Sequence, residues 1–155
     1  LILRGELARR VPDLQRALAD FDRVLELAPD NTQALMARAA IRLQQQQYDA
    51  AELDLDRLEK NAPGATIVQY LRGVSAFQQR DFERAEEYVE RVLQVLPNHP
   101  QSQLINGAIK FSRGDMALAD EYLSRALTSM PGHLPTIKLM AAARMKLKQQ
   151  KKNED

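Results

Sequence analysis

Residues 97–133 read PNHPQSQLINGAIKFSRGDMALADEYLSRALTSMPGH, and the prolines near the two ends of this stretch mark the unit from which the chain is built. Pro97 and Pro131 are 34 residues apart, and Pro29 and Pro63 carry the same step upstream. Between the prolines stand a small residue (Gly107), an alanine (Ala119) and a large apolar residue four places later (Leu123). All three recur. Gly5, Ala39, Gly73, Gly107 and Ala141 form a small row, and Ala17, Ala51, Ala85 and Ala119 an alanine row. Phe21, Leu55, Val89 and Leu123 follow the alanines by four, and Leu14, Tyr48, Phe82 and Met116 precede them by three. The chain has only seven prolines, so four at one spacing mark an internal repeat rather than composition.

The physical content of the repeat is a pair of helices. The small row lets two helix backbones approach closely. Each alanine and the apolar residue four places on share one helix face. Each proline falls past the second helix, where the chain must turn. Asp13, Asp81 and Asp115 stand where second helices begin, and Asp is a good N-cap; Gln47 holds that place in the second repeat and caps less well. Pro12 and Gly114 are turn residues between the two helices. The pattern predicts nine helices, at 1–10, 13–28, 31–46, 48–61, 65–79, 81–95, 99–113, 115–129 and 134–150. No stretch alternates with period two long enough to argue a strand.

These landmarks resemble the tetratricopeptide repeat (TPR) family. The resemblance covers nearly the whole chain as a single array: a partial repeat at 1–31, full repeats at 32–65, 66–99 and 100–133, a lone helix at 134–150 and a tail at 151–155. It implies an all-α, TPR-type α-solenoid, a right-handed superhelix of antiparallel helix pairs whose first helices line a concave groove. The sequence departs from the family at the large first-helix aromatic, where Leu35, Gln69, Gln103 and Ile137 stand, and beside the small row, where Arg4, Arg38, Arg72 and Asn106 replace the usual Leu. At a finer level, residues 97–127 followed by 131–149 (PGHLPTIKLMAAARMKLKQ) resemble bacterial TPR lipoproteins of exopolysaccharide export and exosortase (PEP-CTERM) systems. That likeness implies a periplasmic scaffold; without it the expectation is cytoplasmic.

Composition narrows the function classes. Apolar residues make up 45% and charged residues 28%, which places the chain among globular domains rather than disordered ones. A net charge of +1, balanced along the chain, argues against nucleic acid as a partner. No apolar run reaches about 18 residues, so no direct membrane insertion is expected. The absence of cysteine excludes disulfides, thiol catalysis and Cys-ligated metals. No phosphate loop, Gly-x-Ser-x-Gly, His-Glu-x-x-His or carboxylate cluster is present, so the expectation is a non-enzymatic protein without cofactor or metal. The first residue is Leu rather than Met, which suggests a segment of a longer protein.

The expected function is binding of a protein or peptide. Carried over from the family, the groove positions include Met36, Leu43 and Gln44 in the second repeat, Tyr70, Val74, Phe77 and Gln78 in the third, and Leu104, Ala108 and Phe111 in the fourth. They make an apolar floor edged by glutamine, suited to a helical or extended apolar peptide; the same side chains could instead be core between repeats. The Lys and Asn clamp that holds acidic chaperone tails is missing except for Lys138. The alternative is a self-assembly segment of a larger TPR protein, associating through open solenoid ends at Leu1-Ile2-Leu3 and at Leu139, Met140 and Leu147. The Arg4, Arg38, Arg72 ladder could bind an anion, but pairing with Glu6, Asp54 or Glu86 is expected. Arg23, Arg57, Arg91 and Arg125 form a solvated row beside Asp20, Asp54, Glu87 and Glu121. His99 and His133, one repeat apart in turns, are expected to be solvated or capping. Gln44–Gln47, at the turn of the second repeat, reads as a helix-compatible polar edge, and Lys146, Lys148, Lys151 and Lys152 as a solubilising tail.

Overall fold

A computed structural model of the chain describes the backbone of residues 2–155 and the side chains of residues 13–155. Eight helices follow one another: α1 (Ile2–Leu27), α2 (Thr32–Gln44), α3 (Tyr48–Asn61), α4 (Thr66–Gln78), α5 (Phe82–Val95), α6 (Pro100–Ser112), α7 (Met116–Ser129) and α8 (Leu134–Glu154). No strand occurs among the described residues. The readings placed on the side chains of Leu1, Ile2, Leu3, Arg4, Gly5 and Glu6 fall outside the described residues. The chain divides into two compact units, one up to Leu71 and the other from Arg72, so α4 contributes to both.

Two kinds of turn alternate. Between repeats, the N–H of Asn31, Ala65, His99 and His133 each donates to the carbonyl three residues back, at 3.1, 3.2, 3.0 and 3.0 Å. Pro29, Pro63, Pro97 and Pro131 sit second in these turns, where a fixed φ near −65° is pre-set. Within repeats, the first helix ends in a left-handed residue: Gln46 (φ 60°), Arg80 (φ 63°) and Gly114 (φ 85°), each 34 residues from the next. Gly114 N–H donates to the Phe111 carbonyl and Asp115 N–H to the Lys110 carbonyl, at 3.1 and 3.0 Å, and the other two turns repeat the arrangement. These bonds satisfy carbonyls that the helix end would leave open. The side chains of Asp81 and Asp115 then accept from Arg84 N–H (3.2 Å) and Leu118 N–H (3.3 Å), whereas Gln47 makes no side-chain cap.

The same geometry explains where the helix count falls from nine to eight. Counting back 34 residues from Gln46 reaches Pro12, whose ring forbids a positive φ. The turn used by the other repeats is therefore barred, and where the pattern predicts a pair, α1 runs from Ile2 to Leu27 as one helix, at the loss of one intrahelical donor. Asp13 consequently lies inside α1 rather than at an N-cap. The Gln44–Gln47 run lies at the turn of its repeat: Gln44 closes α2 and Gln46 takes the left-handed position.

Packing follows the rows. Up to Leu71, Leu35, Ala39, Ala51 and Leu55 are fully buried, with Leu43 and Leu58 close behind. From Arg72 on, Ala85, Val89, Ile109, Ala119, Leu123, Ala126 and Ala143 are fully buried. Burying each Leu, Ile or Val side chain contributes about 1.5–3 kcal/mol. Gly107 meets the second helix of its repeat so closely that a Cβ there would lie 2.8 Å from Leu123 Cγ. A Cβ on Gly73 would lie 2.9 Å from Val89 Cγ1. Ala141, in the same row, is exposed, because no further helix covers it among the described residues. Leu139, Met140 and Leu147, expected at an apolar open end, instead pack inward on Met116, Ala119, Leu123 and Ala143. The outward side of α8 carries Leu134 and Met145, 56% and 65% exposed.

Two stability measurements test this account. Gln46→Gly should raise stability by about 0.5–1 kcal/mol, because a non-glycine residue in the left-handed region costs about 1–2 kcal/mol while glycine forfeits about 0.5–1 kcal/mol of chain entropy; a urea midpoint that fails to rise would contradict the turn geometry. Gly107→Ala should lower stability by about 1–3 kcal/mol through overpacking on Leu123, although alanine is the better helix former by about 1 kcal/mol. A stabilised Gly107→Ala variant would mean that the close approach does not limit the fold.

Candidate interaction surface

The first helices of the repeats present one face that is half core and half surface. On α6, Leu104, Ala108 and Phe111 are half-buried, whereas Ile105, Asn106, Gly107 and Ile109 between them are buried. Steps of four and three keep 104, 108 and 111 on one side of the helix. On α4, Val74 and Phe77 are half-buried beside buried Ser75 and Ala76, and Gln78 is exposed. The Phe77 ring leans on Phe82, with centroids 5.6 Å apart and planes at 46°. Leu104 and Phe111 also touch the Met116–Ala119–Leu123–Ala143 cluster, and the Lys146 ammonium sits 4.7 Å from the centre of the Phe111 ring. α8 therefore covers part of the face that the sequence left open at Phe111.

In the unit up to Leu71, Met36 and Tyr70 are half-buried and Gln44 is exposed. Burial raises the Tyr70 phenol above its ordinary range. Leu43 is 2% exposed, so its side chain belongs to the core and cannot reach a partner. The last turn of α2 points it inward with Ala39, four residues earlier on the same face.

Arg38 of the arginine ladder is committed inside the protein. Arg38 donates through Nε (3.0 Å) and Nη2 (2.5 Å) to the two carboxylate oxygens of Asp54, and through Nη1 to Asp22 (2.8 Å). Arg42 adds a bond to Asp54 Oδ2 and one to the Ala50 carbonyl, at 2.8 and 2.9 Å. Asp54 is 1% exposed, so these bonds are what allows its charge to stay buried. The Asp54 hydrogen bond, partly opposed by burial, raises the Arg38 pKa. Arg72 is not a free cation either. At the fourth ladder position Asn106 is fully buried, and neither side-chain polar atom has a protein partner.

A second set of ion pairs joins successive repeats from Arg72 on. Glu86 of α5 accepts from Lys110 and Arg113 of α6, and Asp120 of α7 from Arg144 of α8 (2.7 Å). Glu86–Lys110 and Asp120–Arg144 share a spacing of 24 residues. Burial pushes the Glu86 carboxyl up, but the hydrogen bonds and charges of Lys110 and Arg113 outweigh it and hold the carboxyl below its ordinary range. The sequence reading considered Glu86 and Asp54 but missed Arg42, Asp22, Lys110, Arg113 and Arg144 as partners; the 24-residue recurrence was the available signal. Of the outer row, Arg125 pairs with Glu121 at 2.5 Å, whereas Asp54 turns inward instead of serving Arg57. A cleft of about 420 Å³ opens between Arg38, Arg42, Leu53, Asp54, Asp56, Arg57 and Lys60.

Both histidines stand at helix N-termini. His99 Nδ1 accepts from Ser102 N–H at 3.3 Å and lies 2.8 Å from Ser102 Oγ, and His133 Nδ1 lies 2.6 Å from Thr136 Oγ1. The Ser102 and Thr136 side chains are fully buried. No group of three or more His, Asp or Glu side chains that could hold a metal ion occurs among the described residues, and no helix there is long and apolar enough to cross a membrane.

A family model described as tetratricopeptide repeat matches residues 2–66 and 70–133. No curated protein sequence is significantly similar to the chain. Solved structures share the fold at low identity. MamA from Desulfovibrio magneticus is 23% identical, with 84% of this chain and 73% of that chain covered and a TM-score of 0.64. A thermophilic TPR protein from Thermus thermophilus is 16% identical over 88% of this chain and 75% of its own, with a TM-score of 0.71. YrrB, described as a TPR protein with an unusual peptide-binding site, is 18% identical over 92% of this chain and 74% of its own, with a TM-score of 0.63.

The His99 cap carries a pH signature. Burial holds the imidazole below its ordinary range, so the folded state favours the neutral ring that can accept from Ser102. The stabilisation is complete above the unfolded value near 6.5 and is lost as pH falls from there through the lower folded value. Stability should therefore drop as pH falls below about 6.5, and His99→Asn, which keeps an acceptor but does not titrate, should reduce that drop. Equal pH dependence in urea melts of the two proteins would contradict the cap.

Proposed function

Because the chain belongs to the tetratricopeptide repeat family, we propose that it is a non-enzymatic protein-interaction scaffold that binds a helical or extended apolar peptide along the first-helix face. The observation that carries this reading is the half-buried apolar set Val74, Phe77, Leu104, Ala108 and Phe111, edged by exposed Gln78. Side chains that are half covered by their own unit keep fixed positions and still offer apolar area to a partner, and pre-ordered groups lose little entropy on binding. A peptide-binding site in YrrB, a protein of the same fold, supports a peptide as the ligand class. In the unit up to Leu71, Met36, Gln44 and Tyr70 hold the matching repeat positions; Leu43 is excluded by its burial.

A second reading is self-association through open repeat ends, favoured by the outward apolar residues Leu134, Met145 and Ala141 on α8. The finer likeness to exopolysaccharide-export lipoproteins would add a periplasmic setting and rests on the sequence of residues 97–149.

The first reading is tested by a photo-crosslinking amino acid placed at Ala108, with Glu121 on the outer side of α7 as control, followed by mass spectrometry of cell-derived adducts. Discrete polypeptide adducts are expected from 108 and not from 121. Ala108→Arg should weaken capture of the recovered partner by about tenfold or more, as loss of a central anchor commonly does, without lowering the melting temperature. Identical adducts from both positions, or undiminished capture by Ala108→Arg, would overturn the proposal.

A further inference from the structure

The second helices of the three full repeats carry one arginine row, Arg57, Arg91 and Arg125, and the repeats surround it differently. Four residues before the arginine stand Glu87 in α5 and Glu121 in α7, and Glu121 pairs with Arg125 at 2.5 Å. The Arg91 guanidinium is also engaged, 5.5 Å from the centre of the Tyr88 ring. In α3 the same place holds Leu53, which is 67% exposed. Three residues after the arginine, where α5 and α7 have Gln94 and Thr128, α3 has Lys60. Relative to its counterparts, α3 has lost the acid that would neutralise its arginine and gained a second cation and an exposed apolar side chain. Leu53, Arg57 and Lys60 follow at steps of four and three, so they share one side of the helix over about 10 Å.

All three line the cleft of about 420 Å³, which is built wholly from α2 and α3. Its other charges are already matched. Arg38 and Arg42 are balanced by Asp54 and Asp22, and Asp56 is engaged in an interaction of its own. Arg57 and Lys60, both exposed, make no hydrogen bond or ion pair among the described residues. Arg57 also borders a cleft of about 300 Å³ that holds Asp22 and Glu26. Asp22 is taken there by Arg38, and Glu26 makes no ion pair with Arg57. Two uncompensated cations and one exposed leucine therefore stand in line along a cleft whose remaining charges cancel.

We propose that this cleft is a second binding site, using none of the residues of the first-helix face, and that it takes an acidic segment of a partner polypeptide. Two carboxylates of the segment meet Arg57 and Lys60, and an apolar side chain beside them covers Leu53. Charge complementarity selects the carboxylates, because the cleft offers two cations and no acid left to answer them. The leucine selects a polypeptide. A lone phosphate would engage the cations and leave Leu53 in water, and an extended polyanion is disfavoured by the balanced net charge of +1. Exposed ion pairs are weak singly and are screened by salt. Affinity therefore depends on both cations and the apolar contact acting together, which the spacing of 53, 57 and 60 on one side of α3 permits.

The repeat pattern itself supplies the test. Leu53→Glu restores the acid that α5 and α7 carry and gives Arg57 an i,i+4 partner, so it closes the site without disturbing the fold. A displayed library of random heptapeptides is selected on the wild-type chain, on Leu53→Glu and on the double variant Arg57→Glu with Lys60→Glu. Peptides that combine two or more Asp or Glu with an apolar residue should be enriched on the wild type and on neither variant. The best of them, labelled and followed by fluorescence anisotropy, should bind each variant about tenfold or more weakly, and the wild type less tightly in high salt. Circular dichroism should report unchanged helices, and Ala108→Arg should leave this binding intact, which separates the cleft from the first-helix face. Enrichment without acidic peptides, or acidic peptides that bind all three proteins alike, overturns the proposal. An oligothymidylate that binds through Arg57 and Lys60 while no acidic peptide is enriched keeps an anion site and overturns the polypeptide partner.

Discussion

The distance between two helix backbones at the small row is the constraint on which the fold depends. Leu123 Cγ lies only 2.8 Å from where a Cβ of Gly107 would stand, and Val89 Cγ1 2.9 Å from that of Gly73. A close contact of this kind fixes the relative position of two helices, because a side chain larger than the row allows would push one backbone away. It also explains why the alanine row is completely buried at Ala51, Ala85 and Ala119. The prolines and the left-handed turn residues then serve one purpose. They return the chain at the place from which the next helix can make the same contact.

Electrostatics is organised along the same pattern and is not confined to the surface. Arg38 and Arg42 both bond a buried Asp54, and removing the bidentate partner Arg38 would cost about 3–5 kcal/mol by leaving a buried charge undercompensated. At the equivalent of Arg38 in the fourth repeat, Asn106 has neither charge nor protein partner for its amide. An unpaired buried amide costs about 1–3 kcal/mol. The repeat therefore tolerates different solutions at one place as long as the side chain fits between the helices.

The candidate surface shows how one residue can serve both stability and binding. Phe111 touches the buried cluster, carries the Lys146 ammonium on its ring, and belongs to the half-open face with Leu104 and Ala108. Period and residue type place such a side chain on the right face of the right helix, since both follow from 3.6 residues per turn. They do not say how much of it a neighbouring helix covers. Leu43 and Phe111 hold the same repeat position, one repeat apart from Phe77, yet Leu43 is 2% exposed and the two phenylalanines are half-buried. The difference lies in the bulk of the side chain and in which helix crosses it.

By itself the sequence determined the helix-pair repeat, its 34-residue period, the close-approach row, the Asp81 and Asp115 caps and the family, because each depends on residues near in the chain or related by a constant step. It also carried the reason that α1 is unbroken, since Pro12 holds the left-handed position and cannot adopt it, although the same proline reads as a turn when that position is not yet known. Only the tertiary structure decided that Leu139 and Leu147 face inward while Ala141 and Met145 face out, that Asp54 serves Arg38 and Arg42 rather than Arg57, and that Glu86 belongs to Lys110 and Arg113. Helical periodicity gives the angle between side chains on one helix. Which of those angles a neighbour occupies depends on how helices from distant parts of the chain cross, and that is settled by packing.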